Sequence, residues 1–198
     1  MSERAVPAPE QALHLLRRFF LCRQDQVAFL APWGKPAPTP VNGQLDALLA
    51  GHLQGAEAPE TTVRYRTSHG EDTARGRFRI GSYTPAVDGT TRWLCLDFDG
   101  GPDHADRLAD PTYAAAVVWA NFGAAGLPTY LERSGGGHGW HLWCFLDQPI
   151  PAAKARRLAM ALLPAEVELA SVLHMTVLYI RHWRGRPCRC WCRRPCAR

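Results

Sequence analysis

The order of hydrophobic periods after residue 91 is strand, helix, strand, strand, helix, which predicts an α+β fold with an antiparallel sheet backed by helices on one side. Three observations carry that expectation. The apolar run Trp93-Leu94-Cys95-Leu96 leads into Asp97-Phe98-Asp99 and is broken by Gly100-Gly101-Pro102. Asp110 and Pro111 form an N-cap and first-turn pair that opens a helix, and Gly126 stops it. The glycine-rich turn Ser134-Gly135-Gly136-Gly137 then separates two short strand-like runs, 128–133 and 140–146.

The elements follow in order. Residues 9–20 have helical spacing, with Leu13, Leu16 and Phe20 on one stripe. A proline-rich loop is expected at 32–40, a second helix at 43–53 and a further loop at 54–62. Val63–Arg66 and Phe78–Tyr83 alternate as short strands do, around a polar segment at 67–77. Val87-Asp88-Gly89-Thr90 marks a turn into the Trp93–Asp99 strand. Pro151 opens a last helix that runs to about Leu163. The domain expected from this pattern spans 1–170, with an N-terminal unit over about 9–88 and a second part over about 89–170. Residues 171–198 form a tail expected to be disordered or out of frame.

A chain of 198 residues with 46% apolar residues and seven Trp can bury a sizeable core. No apolar run approaches the length of a membrane span, and the N-terminus lacks a signal-peptide pattern, so a cytoplasmic protein without membrane partners is expected. The formal charge of +5 resides in the tail, since residues 181–198 hold seven arginines and no acid, which leaves residues 1–180 slightly acidic. Any nucleic-acid surface must therefore be local. Cys22, Cys95 and Cys144 sit in apolar contexts and read as reduced core residues. Cys188, Cys190, Cys192 and Cys196 crowd the tail without the paired C-x2-C spacing of a zinc site, so no zinc is expected.

On a strand, residues two apart share a face, so Asp97 and Asp99 point the same way as Trp93 and Cys95, while Leu94, Leu96 and Phe98 face the core. Two carboxylates at a strand end suit Mg²⁺ or Mn²⁺, hard ions that take oxygen ligands and keep positions open for phosphate. The glycine turn offers unobstructed backbone N–H groups and the Ser134 hydroxyl, which together can wrap an anion. His138 and His141 flank it, and His141 faces the carboxylates if its strand lies beside the 93–99 strand. Divalent metal and triphosphate are what a nucleotide-polymerising enzyme must hold. Taken singly, the same patterns fit a solvated Asp-x-Asp, a flexible hairpin and a core histidine. Arg75, Arg77 and Arg79, with Arg64 and Arg66, alternate with Tyr65, Phe78 and Tyr83 and form a candidate nucleic-acid face or a solvated strand face.

Asp97-Phe-Asp99 and Ser134-Gly-Gly-Gly-His-Gly-Trp-His141 resemble the first two motifs of the archaeo-eukaryotic primase superfamily. Phe19–Val27, Arg75-Gly76, Ile80–Tyr83 and Leu131–Ser134 further resemble the primase-polymerase domain of TOTE-type conflict elements, a likeness that runs from about residue 12 to 147. The resemblance implies an RRM-like catalytic module packed with an N-terminal α/β unit. It implies Asp97 and Asp99 as catalytic metal ligands for Mg²⁺ or Mn²⁺, and Ser134, Gly136, Gly137, His138 and His141 as nucleotide contacts, with His141 also catalytic. The implied substrates are nucleoside triphosphates and single-stranded or primed nucleic acid, with helicase and nuclease domains as encoded partners. The family's third carboxylate has no match after about Ala170. Asp147 lies roughly 20 Å along the strand from His141, and Glu166 and Glu168 precede the expected place. A truncated or frameshifted chain with an incomplete site is therefore expected. Two other readings accompany the polymerase one. The first is a non-catalytic remnant that binds single-stranded nucleic acid or nucleotide. The second is a phosphatase, since an apolar strand ending in Asp-x-Asp-Gly also resembles the haloacid dehalogenases, although Gly101 stands where they carry Thr or Val.

Overall fold

Alternation along one strand sorts the second half of the chain into two faces, and the computed structural model shows how its neighbours use them. The structure describes residues 9–30, 36–58, 60–76, 80–100, 108–134, 137–164 and 177–179. They form an α+β fold of two units that divide between Val87 and Asp88, with Val177–Tyr179 returning to the first unit.

In the first unit, helix α1 (Pro9–Leu15) continues into a π-helical turn, Leu16–Phe20. Strands β1 (Gln26–Leu30), β2 (Pro36–Pro40), β5 (Ile80–Tyr83) and β9 (Val177–Tyr179) form an antiparallel sheet in the order β2-β1-β5-β9. Helix α2 (Leu45–Gln54) contributes Leu45 and Leu49 to a core with Leu16, Leu21, Val27 and Ile80. Its buried His52 accepts the Ile80 N–H at Nδ1, 3.2 Å away. Strands β3 (Thr61–Thr67) and β4 (Gly70–Gly76) make a separate hairpin.

Three features of this unit differ from the sequence expectation. The proline-rich segment is partly strand, because β2 lies at a sheet edge where only one side must supply hydrogen bonds. Prolines at every second position leave Ala37 and Thr39 for the ladder, and both are buried. The polar segment after Thr67 is strand β4, whose mostly exposed side chains, with only Ala74 against the cluster of Val63 and Tyr65, offer no apolar alternation to read. Val177–Tyr179, in the expected tail, pairs with β5.

In the second unit, β6 (Thr90–Phe98), α3 (Pro111–Ala124), β7 (Thr129–Arg133), β8 (Trp140–Pro151) and α4 (Ala152–Leu162) reproduce the strand, helix, strand, strand, helix order. Among the described residues the sheet is antiparallel with order β6-β8-β7. Leu94, Leu96 and Phe98 of β6 and Leu142 and Cys144 of β8 pack on Ala114, Ala115, Val118 and Phe122 of α3 and Ala155 and Ala159 of α4. The small residues of both helices let them approach the sheet closely. Asp110 caps α3 as expected, its carboxylate accepting the Tyr113 N–H at 2.9 Å. β8 runs to Pro151, beyond the expected 146, because it stays paired with Thr90 and Thr91 of β6 past a register shift at Thr91/Trp93.

Burial pushes the Cys144 thiol up from its ordinary value. Cys95 is equally enclosed, whereas Cys22 is partly exposed. Among these three, Cys22 is expected to be alkylated by iodoacetamide at pH 8 in the native protein. Cys95 and Cys144 should react only on unfolding, as peptide mass spectrometry would show. Phe122 is fully buried, so Phe122→Ala should lower stability by about 3–5 kcal/mol in chemical denaturation.

Candidate active site

The face of the β6-β8-β7 sheet opposite the helices carries the polar residues. Antiparallel register sets Asp97 of β6 opposite His141 of β8, and His141 opposite Glu132 of β7, so the three form one row across the sheet. His141 Nε2 lies 3.4 Å from Asp97 Oδ1, and His141 Nδ1 lies 3.5 Å from Glu132 Oε2. Trp143 donates its indole N–H to the same Glu132 oxygen at 2.9 Å. Asp97, Asp99 and His141 are 5%, 7% and 7% exposed, unusual for charged residues and therefore informative. Asp99 follows the last residue of β6.

The next row on this face is aromatic. Trp143 stands opposite Cys95 and Tyr130, and Trp93 stands opposite Phe145. Trp143 stacks with Phe145 at a centroid distance of 6.0 Å and tilts against Trp93 at 5.5 Å. Its contact with the His141 ring is edge-on, at 6.3 Å.

Two glycines let the 134–139 turn close on the end of β6. A Cβ on Gly139 would meet the Phe98 carbonyl oxygen at 2.4 Å and the Ser134 hydroxyl at 3.2 Å. A Cβ on Gly100 would meet the His138 carbonyl oxygen at 2.5 Å. Main chain therefore touches main chain beside Asp99, which only glycine permits. The turn is tied by the Ser134 N–H to Gly139 O bond and by the Gly137 N–H to Ser134 O bond, both 2.8 Å. Arg133 braces it by donating to Gly137 O at 3.1 and 3.3 Å.

The structure thus brings together Asp97, Asp99, Ser134 and His141. Ser134 is buried at 6% exposure, with its hydroxyl against Gly139. His138 is exposed. The expected anion-wrapping turn is corrected at two donors, because the Ser134 and Gly137 N–H groups bond within the turn. Gly136 lies outside the described residues, as do Arg77, Arg79, Glu166 and Glu168. Arg75 is exposed on strand β4, paired with Glu60 at 3.5 Å. Asp147 is exposed on β8. Among the described residues no three His, Cys, Asp or Glu side chains converge as a self-sufficient metal cage. Glu132 escaped the sequence reading. Its signal was a lone acid in a β-rich run, whose pairing with His141 follows from the length of the hairpin turn.

A family model for the TOTE conflict system archaeo-eukaryotic primase domain matches residues 52–178, well over half of the chain. The chain belongs to that family. The match includes both acids, the glycine turn and His141, and it runs beyond residue 147, to which the residue-by-residue likeness extends. No curated protein matches the chain. Among the described residues of this primase domain, no helix is long and apolar enough to cross a membrane.

Gly139→Ala and Gly100→Ala should each cost about 1–3 kcal/mol, because a backbone oxygen must move. Gly123→Ala in α3, where a Cβ meets nothing within 4 Å, should instead stabilise by about 0.4–1 kcal/mol. Thermal denaturation of the three variants checks the contrast.

Proposed function

We propose that this domain joins nucleoside triphosphates to a nucleic-acid 3′ end, either extending a primer or starting one. The observation that carries the reading is the burial of Asp97 and Asp99 at the end of β6, with His141 Nε2 at 3.4 Å from Asp97, in a chain of a primase family. Family membership favours this chemistry over phosphomonoester hydrolysis.

The donor set fits a hard divalent cation. Two carboxylates provide oxygen ligands only, and an ion held by one or two carboxylates keeps positions for phosphate oxygens. Buried carboxylates are costly without a compensating charge, which a bound cation would supply. Asp97 and Asp99 would hold Mg²⁺ or Mn²⁺. When bound, the ion supplies charge neutralisation at the triphosphate and the departing pyrophosphate.

The chain's own residues supply the rest. In the reaction the 3′ oxygen bonds to the α-phosphorus, the bond to the bridging oxygen of the β-phosphate breaks, and the hydroxyl proton departs. His141 presents Nε2 on the face of Asp97, where it can take up a proton or donate to a phosphate oxygen. Ser134 places a hydroxyl at the mouth of the turn beside Asp99. The enclosed Asp97–His141 pair strengthens each polar contact, since little water competes there. Single-stranded or primed nucleic acid is the partner this chemistry requires.

Primer extension by the full chain with Mn²⁺ or Mg²⁺ tests the reading. Asp97→Asn with Asp99→Asn should lower it by roughly 10³-fold or more, the several kcal/mol a catalytic cation supplies. Extension that survives the double substitution overturns it. Absence of extension, together with salt-sensitive single-strand binding that the double variant retains, would favour a binding role instead.

A further inference from the structure

We propose that Glu132 is a positioning residue whose carboxylate, anchored by the Trp143 indole, keeps a proton on His141 Nδ1 and turns Nε2 toward Asp97. The row Asp97–His141–Glu132 sets the imidazole between two carboxylates, at 3.4 Å on Nε2 and 3.5 Å on Nδ1. Geometry alone does not say which nitrogen carries the proton. Trp143 biases the choice. An indole N–H can only donate, and it donates to Glu132 Oε2 at 2.9 Å, the same oxygen that meets His141 Nδ1. That oxygen accepts from the indole, and as an acceptor it favours the imidazole partner that donates, Nδ1–H.

Solvent supports the assignment. The Glu132 side chain is 43% exposed, while those of Asp97 and His141 are 7% and 9% exposed. Glu132 is thus the carboxylate of this row that water also reaches. The edge-on contact of the Trp143 and His141 rings limits how far the imidazole can turn. Without Glu132, a neutral imidazole would be free to carry its proton on Nε2 and donate to Asp97 Oδ1. It would then occupy an oxygen that the proposed cation needs. Glu132 thus keeps the acid face clear and leaves Nε2 as the ring atom that meets substrate. The kinetic consequence rests on the nucleotidyl-transfer reading, whereas the proton's position does not.

Long-range ¹H–¹⁵N NMR of the His141 ring in the full-length protein, without metal or nucleotide and at one fixed neutral pH, tests the proton's position. Wild type is expected to show a protonated Nδ1. Glu132→Ala should move proton density from Nδ1 to Nε2, and Glu132→Gln, whose amide oxygen can accept from both donors, should restore the wild-type pattern. In primer extension Glu132→Ala should lower kcat roughly 10- to 100-fold, the usual effect of losing a histidine's outer partner, with the nucleotide KM little changed. Glu132→Gln should recover most of that loss. An unprotonated Nδ1 in wild type, or ring shifts unchanged in Glu132→Ala, overturns the proposal even if the enzyme extends primers. The expected shifts in a protein that never extends a primer would instead sink the nucleotidyl-transfer reading and leave the positioning role standing.

Discussion

The pairing register of β6 with β8 is the constraint on which the rest of the second unit depends. With a side-chain period of two, a slip of β6 by one residue against β8 would send Asp97 toward the helices and bring Leu94 and Leu96 out, away from His141 and Leu142. The register is held from both faces. On one, Leu94, Leu96, Phe98, Leu142 and Cys144 interlock with α3 and α4. At the strand end, Gly100 and Gly139 let the turn seat against the Phe98 and His138 carbonyls, a contact that fits one alignment only. The irregularity at Thr91/Trp93, where the Thr91 hydroxyl donates to Trp93 O at 2.7 Å, absorbs the remaining mismatch away from the acids.

That register turns a costly arrangement into a useful one. Buried carboxylates and a buried imidazole resist desolvation, and here each is placed beside a group of complementary character. Asp97 meets His141, His141 meets Glu132, and Glu132 meets the Trp143 indole. The row passes from an enclosed acid on β6 to a half-exposed acid on the edge strand β7. Aromatic rings fill the adjacent row and narrow the space around it. A metal-and-nucleotide reading rests on this enclosure: the same residues on a solvated strand would be an ordinary charged surface.

Much of this was legible because local and tertiary demands agree in the second unit. Asp110-Pro111 and Gly126 bracket α3, and the alternation of Trp93–Phe98 assigns each residue to the face it occupies. Legibility failed where edges and partners decide. The prolines of β2 are tolerated because the strand lies at an edge, and β4 carries no apolar face to betray it. The Gly137 N–H seemed available to an anion, yet closes the turn on Ser134. Glu132 lacked meaning until a six-residue turn, 134–139, aligned it with His141.

The amino-acid sequence by itself determined the α+β class, the family, and the candidacy of Asp97, Asp99 and His141, because periodicity and short motifs are local properties of the chain. Only the tertiary structure decided which groups meet. It paired Asp97 with His141 and brought Glu132 and Trp143 to the other side of the ring. It also buried the acids and spent the Gly137 donor inside the turn. The reason is physical: cross-strand contact and exclusion of water depend on register and packing between segments distant in sequence, and no single segment encodes them.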